Sequence, residues 1–446
     1  MNVRKALYFS NHRRHGSSLG RFYEEVVRED RRGVPPDTTR RLLIAMLAHC
    51  QRSVPYYAAP IGELGDSFRQ APESYLARFP ILTKDAIRKH FDRLTSTDKA
   101  RRNRYFNTSG GSTGEPIKLM QDQEYGDRST AITLLYSCWT GWRIGEPMVY
   151  LWGSERDILQ NSLGFKVGIA NKILNRTFLN AFRMAPGTMH EFIDVLNAKR
   201  PKLIIAYAQA AYELATFAER ERVAVRPQSA IMTSAGTLYP FMREKIESVF
   251  GCKVFNRYGS REVGDMACEC PAHEGLHVAP WGSYIEIVDD DGRVVPQGTD
   301  GNIVVTSLTN FAMPLIRYSI GDRGILSPGE CCSCGRRGQI LERVLGRNVD
   351  TFKAQDGTLV DGEYFTHLLY FRDWVRKFQV IQKSYSAVVY KIVKSEADYE
   401  PADIDDITDK TKLVLGRDCT VSFELVDDIP PSASGKYRYT ISDITR

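Results

Sequence analysis

The sequence predicts an α/β protein made of a large unit followed by a small carboxy-terminal α+β unit. Three observations support this prediction. The chain has 446 residues, more than one hydrophobic core usually organises. Short apolar runs alternate with helical stretches between residues 200 and 260, and strand patterns return with helices in the last hundred residues. We therefore divide the chain into residues 1–346 and 347–446.

The first hundred residues show helical patterns joined by turns, and we interpret them as a mainly helical scaffold. RRLLIAMLAHCQ has helical apolar spacing. ILTKDAIRKHF follows a proline and places Thr83 as an N-cap.

The segment from 200 to 260 reads as strand and helix in alternation: KLIIAYA, AAYELATFAERE, SAIMTSAG, FMREKIESVFG and CKVFNRYG. This alternation predicts a mostly parallel sheet with functional groups at the carboxyl ends of its strands. YIEIVDDDGRVVPQGTDGNIVVTSL then has two alternating runs around a turn-rich stretch, which predicts an antiparallel, β-rich subdomain. After GRNVD, the runs KFQVIQ, AVVYKIV and CTVSFELV predict the strands of the small unit.

Composition narrows the class of protein. The net charge is +6, with acidic and basic residues interspersed, so nucleic-acid binding has little support. No apolar run has the length of a membrane span, and the amino terminus lacks the pattern of a secretory signal, so we expect a cytoplasmic protein. A homodimer is a common arrangement for such proteins, although the sequence leaves the oligomeric state open.

A glycine- and hydroxyl-rich stretch, TSGGSTGEP, is the strongest local signal. Glycines let backbone N–H groups converge on an anion, and hydroxyls add donors to phosphate oxygens. Alone, the stretch is equally consistent with a flexible loop, and it lacks the Gly-Lys-Ser/Thr ending of a Walker P-loop. The candidate phosphate-binding residues are Thr108, Ser109, Gly110, Gly111, Ser112, Thr113 and Gly114.

Four further motifs follow in order: YGSRE, RYSIGD, GRNVD and PPSASGK, at residues 258–262, 317–322, 346–350 and 430–436. With the first loop, they resemble the ordered core motifs of the adenylate-forming superfamily along nearly the whole chain. FPILTKDAIRKHF, LWG and YGSRE are most similar to the phenylacetate-CoA ligase-like branch that includes CapK-type proteins of capsular polysaccharide biosynthesis. The resemblance implies a large adenylate-forming domain and a small mobile carboxy-terminal domain.

The resemblance also implies roles for individual residues in the large domain. The 108–114 loop would hold the phosphates of ATP, with Thr108 among the catalytic residues, and Glu262 would bind Mg²⁺. Tyr258 would pack on adenine and Asp322 would accept hydrogen bonds from the ribose. The other implied nucleotide contacts are Ala235, Gly236, Gly259 and Ser260, and the implied acyl-pocket residues are Trp152, Gly153 and Tyr207.

Three residues from 347 onward complete the implied machinery. Arg347 would reach the ribose or a phosphate, and Asp350 corresponds to the hinge. Lys436 would bridge the substrate carboxylate and the α-phosphate. Two residues depart from the wider pattern: Arg261 replaces the usual threonine of YGSRE, and Gly236 stands where relatives often have an acidic residue.

Clustered cysteines indicate a metal site. CECPAHEGLH and CCSCGRRG offer seven candidate zinc ligands, more than the four that a tetrahedral site needs: Cys268, Cys270, His273, His277, Cys331, Cys332 and Cys334. Similarity to zinc-containing members of the phenylacetate-CoA ligase-like group favours Cys270, His277, Cys332 and Cys334, with His273 as the substitute. Four protein ligands would make the zinc structural. The alternative is a set of small buried thiols and surface histidines.

The implied function is a two-step ligation. A small carboxylic acid displaces pyrophosphate from MgATP, and an acceptor then displaces AMP. The acceptor is coenzyme A or an amine, and the sequence does not choose between them. Two alternatives come from other classes: a noncatalytic nucleotide-binding scaffold of polysaccharide assembly, and a zinc-ribbon protein that binds nucleic acid.

Overall fold

The computed structural model describes residues 2–108, 117–152, 171, 174–181, 184, 186–347, 351–370, 372, 374–395, 397–429 and 439–444.

The amino-terminal segment is helical, as its apolar spacing predicts. Its α-helices are α1 (Val3–Arg14), α2 (Leu19–Arg32), α3 (Thr38–Ser53), α4 (Pro55–Leu64), α5 (Pro72–Leu76), α6 (Lys84–Lys89) and α7 (Phe91–Leu94), with 3₁₀ turns at Asp66–Arg69 and Lys99–Arg101. Thr83 is confirmed as an N-cap, because its hydroxyl accepts a hydrogen bond from the Ala86 amide at 3.2 Å.

A hairpin and one large mixed sheet form the middle of the molecule. The hairpin pairs β1 (Arg104–Thr108) with β2 (Lys118–Asp122). The sheet has eleven strands in the order β10-β11-β12-β13-β9-β8-β7-β6-β5-β3-β4. Its strands are β3 (Met148–Trp152), β4 (Arg176–Asn180), β5 (Leu203–Tyr207), β6 (Ala230–Ser234), β7 (Lys253–Ser260), β8 (Gly264–Glu269), β9 (Leu276–Val278), β10 (Ser283–Val288), β11 (Asp300–Ser307), β12 (Tyr318–Leu326) and β13 (Ile340–Arg347).

Helices flank the parallel half of this sheet. They are α8 (Gln123–Trp139), α9 (Pro186–Lys199), α10 (Ala208–Arg220) and α11 (Pro240–Phe250). α10 and α11 bury apolar residues against β3, β5, β6 and β7, in a cluster that includes Ile204, Ile231 and Val254. The predicted α/β alternation is therefore confirmed.

β7 joins the two halves of the sheet. Its first part, from Lys253 to Asn256, pairs in parallel with β6. Its second part, from Arg257 to Ser260, pairs antiparallel with β8. The parallel strands and the β-rich region are thus one continuous sheet, and the YGS of the YGSRE motif lies where the pairing has changed direction.

The carboxy-terminal region contains a separate four-stranded sheet of order β18-β17-β16-β19. A hairpin of β14 (Thr351–Lys353) and β15 (Leu359–Asp361) precedes it. The remaining elements are α12 (Gly362–Tyr370), β16 (Val375–Ser384), β17 (Ala387–Lys394), α13 (Pro401–Leu415), β18 (Thr420–Leu425) and β19 (Thr440–Ser442). The three strands predicted from KFQVIQ, AVVYKIV and CTVSFELV correspond to β16, β17 and β18.

This region packs on α10 and α11 of the large sheet. Lys410 of α13 donates to both carboxylate oxygens of Glu213 in α10, at 2.7 and 2.9 Å. Tyr364 of α12 meets the rings of Tyr239 and Phe241 edge-on. Because the Lys410 side chain is only 11% exposed, the ion pair is largely shielded from solvent.

Arg317 attaches the helical segment to the β-rich half of the sheet. Its backbone is left-handed, with φ of 49°, and its guanidinium is buried. The guanidinium donates to the carboxylate of Glu286 and to the carbonyls of Ala77, Phe79 and Gly292. A buried arginine is tolerated because its charge and its donors are matched in this way.

Among the described residues, no helix combines the length and apolar character needed to cross a bilayer.

Candidate active site and metal centre

The carboxyl ends of the parallel strands meet at one edge of the sheet, and several candidate residues lie there. Trp152 ends β3 and Tyr207 ends β5, with ring centroids 4.3 Å apart. Ala235 follows β6 in a left-handed conformation, with φ of 54°. That conformation is costly for a residue with a Cβ, and such residues concentrate at functional sites.

Tyr258 and Asp322 form the central contact of the candidate nucleotide site. The Tyr258 hydroxyl donates to Asp322 Oδ2 at 2.7 Å. Tyr258 lies in β7 and Asp322 in β12, and three strands separate them in the sheet order. The sheet must therefore curl so that two sequence motifs meet. This curl brings together the residues expected to contact adenine and ribose.

Glu262 is buried beside this pair, and several side chains fix its position. Tyr318 donates from its hydroxyl to Glu262 Oε1 at 3.3 Å. The Gln121 side-chain amide donates to the carbonyl of Arg261 at 2.9 Å, and the Tyr125 hydroxyl donates to the Glu262 carbonyl at 3.5 Å. The expected Mg²⁺ ligand is therefore held through both its backbone and its carboxylate.

The β1–β2 hairpin connects the phosphate-loop region to the same turn. Asn107 donates from its side-chain amide to Gln121 Oε1 at 3.1 Å and to the Arg261 carbonyl at 3.4 Å. Its Oδ1 accepts the Thr108 amide at 2.8 Å. Thr108, the first residue of the candidate loop, is thus joined to the YGSRE turn by hydrogen bonds.

Of the two predicted nucleotide-binding glycines that the structure describes outside the loop, Gly259 and Gly236, only Gly259 is required by close packing. A Cβ on Gly259 would lie 2.8 Å from Asp265 Oδ1 and from the Gly264 carbonyl, so the close pairing of β7 with β8 requires glycine there. Ser260 pairs with Gly264 at the end of the same ladder. Gly236 is not crowded, since a Cβ there would approach only Ala208 Cβ, at 4.0 Å.

Several predicted residues lie outside the described part of the chain. They are Ser109, Gly110, Gly111, Ser112, Thr113, Gly114, Gly153, Asp350 and Lys436. Arg347 is described as the backbone partner of Asp322 across β12 and β13, which places the RYSIGD and GRNVD motifs side by side.

The structure also brings four of the predicted metal ligands together. The ligand atoms of Cys270, His277, Cys332 and Cys334 all lie within 4.8 Å of one another. Cys270 Sγ and Cys332 Sγ are 3.6 Å apart, and Cys334 Sγ is 3.5 Å from His277 Nε2. His273, the predicted substitute, instead contacts Glu269 at 3.1 Å and packs on Phe255.

This donor set fits a tetrahedral Zn²⁺. Zinc–sulfur bonds of about 2.3 Å and zinc–nitrogen bonds of about 2.0 Å place tetrahedral S···S and S···N pairs roughly 3.8 and 3.5 Å apart. The two observed distances, 3.6 and 3.5 Å, are close to these values. All three cysteines are free thiols rather than disulfide partners.

Protonation in this cluster favours a neutral imidazole. Burial, aided by the nearby Arg336, lowers the pKa of His277 to about 4, so the ring is unprotonated and able to bind a metal at neutral pH. Burial also raises the pKa of Cys332 to about 12. Metal binding would therefore displace a proton from this thiol.

Residues from distant helices surround the cluster. Trp139 of α8 meets the His277 ring edge-on, with centroids 5.8 Å apart. Arg336 forms two hydrogen bonds with Asp30 of α2, at 2.7 and 3.0 Å, while its backbone amide donates to Cys334 Sγ at 3.4 Å. The cluster is thereby fastened to the amino-terminal helices.

Sequence reasoning missed the residues that support these sites. Tyr318 stands inside the RYSIGD motif, yet only Asp322 was assigned a role there. Gln121 and Asp30 carry no motif signal, because their partners are 140 and 306 positions away in sequence. Only the folded chain reveals such pairings.

Comparison with known proteins confirms the predicted family resemblance. Residues 352–443 match the family model of the CapK C-terminal domain. Protein CapK of Staphylococcus aureus is 25% identical over 404 residues, covering 89% of this chain and 86% of CapK. A phenylacetate-coenzyme A ligase of Thermus thermophilus is 25% identical over 375 residues, covering 80% and 79% of the two chains.

Solved structures show the same fold. The crystal structure of a 2-hydroxyisobutyryl-CoA ligase in its postadenylation state superposes with a TM-score of 0.61 at 19% identity, covering 91% of this chain and 89% of that one. The same ligase with an acyl-AMP and CoA, in its thioesterification state, superposes with a TM-score of 0.59. The mixed sheet with a smaller carboxy-terminal α+β region is therefore the adenylate-forming ligase fold.

Proposed function

Because the chain is homologous to CapK and to phenylacetate-coenzyme A ligases, we propose that it is an ATP-dependent ligase that activates a carboxylic acid as an acyl-adenylate. The observation that carries the proposal is the convergence of Tyr258, Asp322 and Glu262 at one end of the curled sheet, where Tyr258 bonds Asp322 at 2.7 Å. In the second step, an acceptor takes the acyl group and AMP is released.

Different residues have different roles in the adenylation step. Tyr258 and Asp322 bind the nucleoside, and the loop from Thr108 to Gly114 binds the phosphates. Glu262 holds Mg²⁺, which neutralises phosphate charge when bound. A buried carboxylate restrained by Tyr318 suits this role, since a fixed oxygen loses little freedom on binding a metal. Lys436 brings its ammonium to the reacting carboxylate and α-phosphate.

The Cys270, His277, Cys332 and Cys334 cluster binds a structural Zn²⁺ in this proposal. Four protein ligands leave no coordination position for a substrate. The metal would connect two segments about sixty residues apart near the carboxyl end of α8, and it would contribute to folding rather than to bond making.

Coenzyme A is the first acceptor to test, and an amine is the second. The relatives named phenylacetate-coenzyme A ligase and 2-hydroxyisobutyryl-CoA ligase support a thioester product. The similarity to CapK keeps an amine of an amino acid or sugar, and a place in polysaccharide biosynthesis, within the proposal.

Carboxylate-dependent exchange of pyrophosphate into ATP tests the first step without knowledge of the acceptor. The panel contains aryl, fatty, amino and sugar acids, and the controls are Lys436→Ala and Glu262→Ala. Exchange with one class of acid, abolished in both variants, supports adenylation. If ATP binds but no acid supports exchange, and both variants keep their biological activity, the protein is a noncatalytic nucleotide-binding scaffold.

A further inference from the structure

A cleft lies between the amino-terminal helices and the carboxyl end of α8. Its volume is about 750 Å³, within the range of small-molecule sites. α1 and α2 form one wall, and the segment from Leu135 to Ile144 forms the other. Arg336, two residues beyond the zinc-ligand candidate Cys334, closes one side.

The cleft is remote from the candidate nucleotide site. Tyr125, near the start of α8, contacts Glu262, whereas Cys138, near the end of the helix, lines the cleft. Thirteen helical residues separate the two, which corresponds to about 20 Å at 1.5 Å per residue. A molecule in the cleft would therefore not occupy the proposed adenylation site.

Aromatic rings form much of the lining, and their polar atoms are already bonded within the protein. Trp139 Nε1 donates to Asp30 at 3.3 Å, and Trp142 Nε1 donates to the Glu146 carbonyl at 3.1 Å. The Tyr23 hydroxyl contacts Cys138 Sγ at 3.5 Å. These side chains therefore offer a ligand no free hydrogen-bonding group. Their rings are largely buried, with Tyr23 6%, Trp139 8% and Trp142 2% exposed, so they form an apolar floor to the cleft rather than open ring faces.

The charges around the cleft are predominantly positive. Lys5, Arg31, Arg143 and Arg336 line it, and the acidic lining residue is Asp30. Asp30 is neutralised by its ion pair with Arg336. Among the described residues, the ion pairs do not include Lys5, Arg31 or Arg143, and the Glu146 carboxylate accepts the backbone amide of Arg143 at 2.7 Å. Lys5 lies 5.2 Å from the ring centre of Tyr23, so cations and rings alternate.

We propose that this cleft is a second ligand site, which binds a small aromatic anion carrying a carboxylate, phosphate or sulfonate group. The rings of Tyr23, Trp139 and Trp142 would contact the aromatic part of the ligand. Lys5, Arg31 and Arg143 would attract its charged group. Bound there, the anion would bridge α1 and α2 to the end of α8 and to Arg336 beside the Cys/His cluster.

The test uses two dyes that differ in charge. The anionic probe is 8-anilinonaphthalene-1-sulfonate, and N-phenyl-1-naphthylamine is its uncharged counterpart. Fluorescence titration of the intact protein should show that the double variant Arg31→Glu/Arg143→Glu weakens binding of the sulfonate about tenfold. The uncharged dye should bind that variant unchanged, and raised salt should weaken only the sulfonate.

Two further variants separate the cleft from other surfaces. Val27→Trp fills the cleft and should weaken both dyes, whereas Lys199→Glu, an exposed charge change on α9, should affect neither. Excess ATP should not displace the sulfonate. The proposal is overturned if the double charge reversal leaves sulfonate binding unchanged, or if ATP displaces the dye. Pyrophosphate exchange is measured separately, so failure of one proposal leaves the other standing.

Discussion

The Tyr258 hydroxyl donates a 2.7 Å hydrogen bond to Asp322 Oδ2, across three intervening strands of the large sheet. The bond joins two motifs that are 64 residues apart in sequence. This hydrogen bond orients the Asp322 carboxylate, which is expected to accept hydrogen bonds from the ribose hydroxyls, before a nucleotide binds. A change at Tyr258 should therefore alter nucleotide binding through Asp322.

Tyr258→Phe should weaken ATP binding while the protein stays folded. The change removes the hydroxyl and leaves a ring for adenine, so we expect a modest loss, about 1 kcal/mol or fivefold in Kd. Asp322→Asn should cost more, because it removes the charge-assisted acceptor for the ribose. Calorimetric titration with ATP checks both. Equal affinity in Tyr258→Phe and wild type would show that the bond does not orient Asp322.

Tyr318→Phe should act on catalysis through Glu262. Loss of the 3.3 Å hydrogen bond frees the carboxylate, so the Mg²⁺ concentration for half-maximal exchange should rise and kcat should fall by about tenfold. Tyr75→Phe is the matched control, because its buried hydroxyl bonds the Ile61 and Gly65 carbonyls instead. A Mg²⁺ dependence identical in Tyr318→Phe and wild type would refute the positioning role.

Purified protein should contain one zinc per chain, measured by elemental analysis without chelator in the buffers. Cys332→Ser and Cys270→Ser should each lose the metal and lower Tm, because zinc binding contributes folding free energy. Cys252→Ser, outside the cluster, should keep full zinc content. Less than about half an equivalent of metal in the wild type would count against the site.

The Glu213–Lys410 pair should stabilise the docking of the carboxy-terminal region on α10. A double-mutant cycle with Glu213→Gln and Lys410→Met should give a coupling of about 1–3 kcal/mol by denaturant unfolding, since both side chains are mostly buried. Additive effects of the two changes would show that the pair is not coupled. Exchange rates of the single variants would show whether this contact also matters for turnover.

The free energy of unfolding should decrease in acid, because protonation of the Asp98 carboxyl removes a stabilising interaction. Two hydrogen bonds from Arg102 lower the pKa of its carboxyl to about 2. Because this value lies below that of the unfolded chain, about 3.9, the contribution is complete above about pH 5 and is lost as the pH falls towards 2. Asp98→Asn should remove this pH-dependent contribution and lower the free energy of unfolding by less than about 1 kcal/mol, because the side chain is partly exposed. Unfolding curves between pH 2 and 6, compared with wild type, would detect the difference. A constant difference across this range would contradict the assignment.

Local patterns were sufficient for much of the fold, because strands and caps depend on neighbouring residues. Thr83 was identifiable from the proline before its segment and the helical pattern after it, and β16 to β18 from their apolar alternation. The continuity of the sheet through β7 was not identifiable, since pairing direction depends on which strands meet.

In the candidate site, too, some residues could be predicted from local sequence and others could not. Tyr258, Glu262 and Asp322 stand in recognisable motifs, and the metal ligands stand in cysteine clusters. Their supporting partners were not identifiable, because neither a buried glutamine nor a tyrosine inside a motif has a sequence signal for a partner 140 or 56 residues away. The placement of Gln121 and Tyr318 depends on the packing of the β1–β2 hairpin and β12 around one turn.

The change of pairing partner within β7 has a consequence for redesign. The strand carries parallel neighbours on one stretch and antiparallel neighbours on the next, so a one-residue insertion would reverse the facing of Tyr258. The family resemblance implies that Trp152 and Tyr207 line the acyl pocket, so attempts to alter acid preference would vary these residues at the ends of β3 and β5 and leave the length of β7 unchanged. When segments are exchanged with related proteins, the junctions should likewise lie outside Lys253–Ser260.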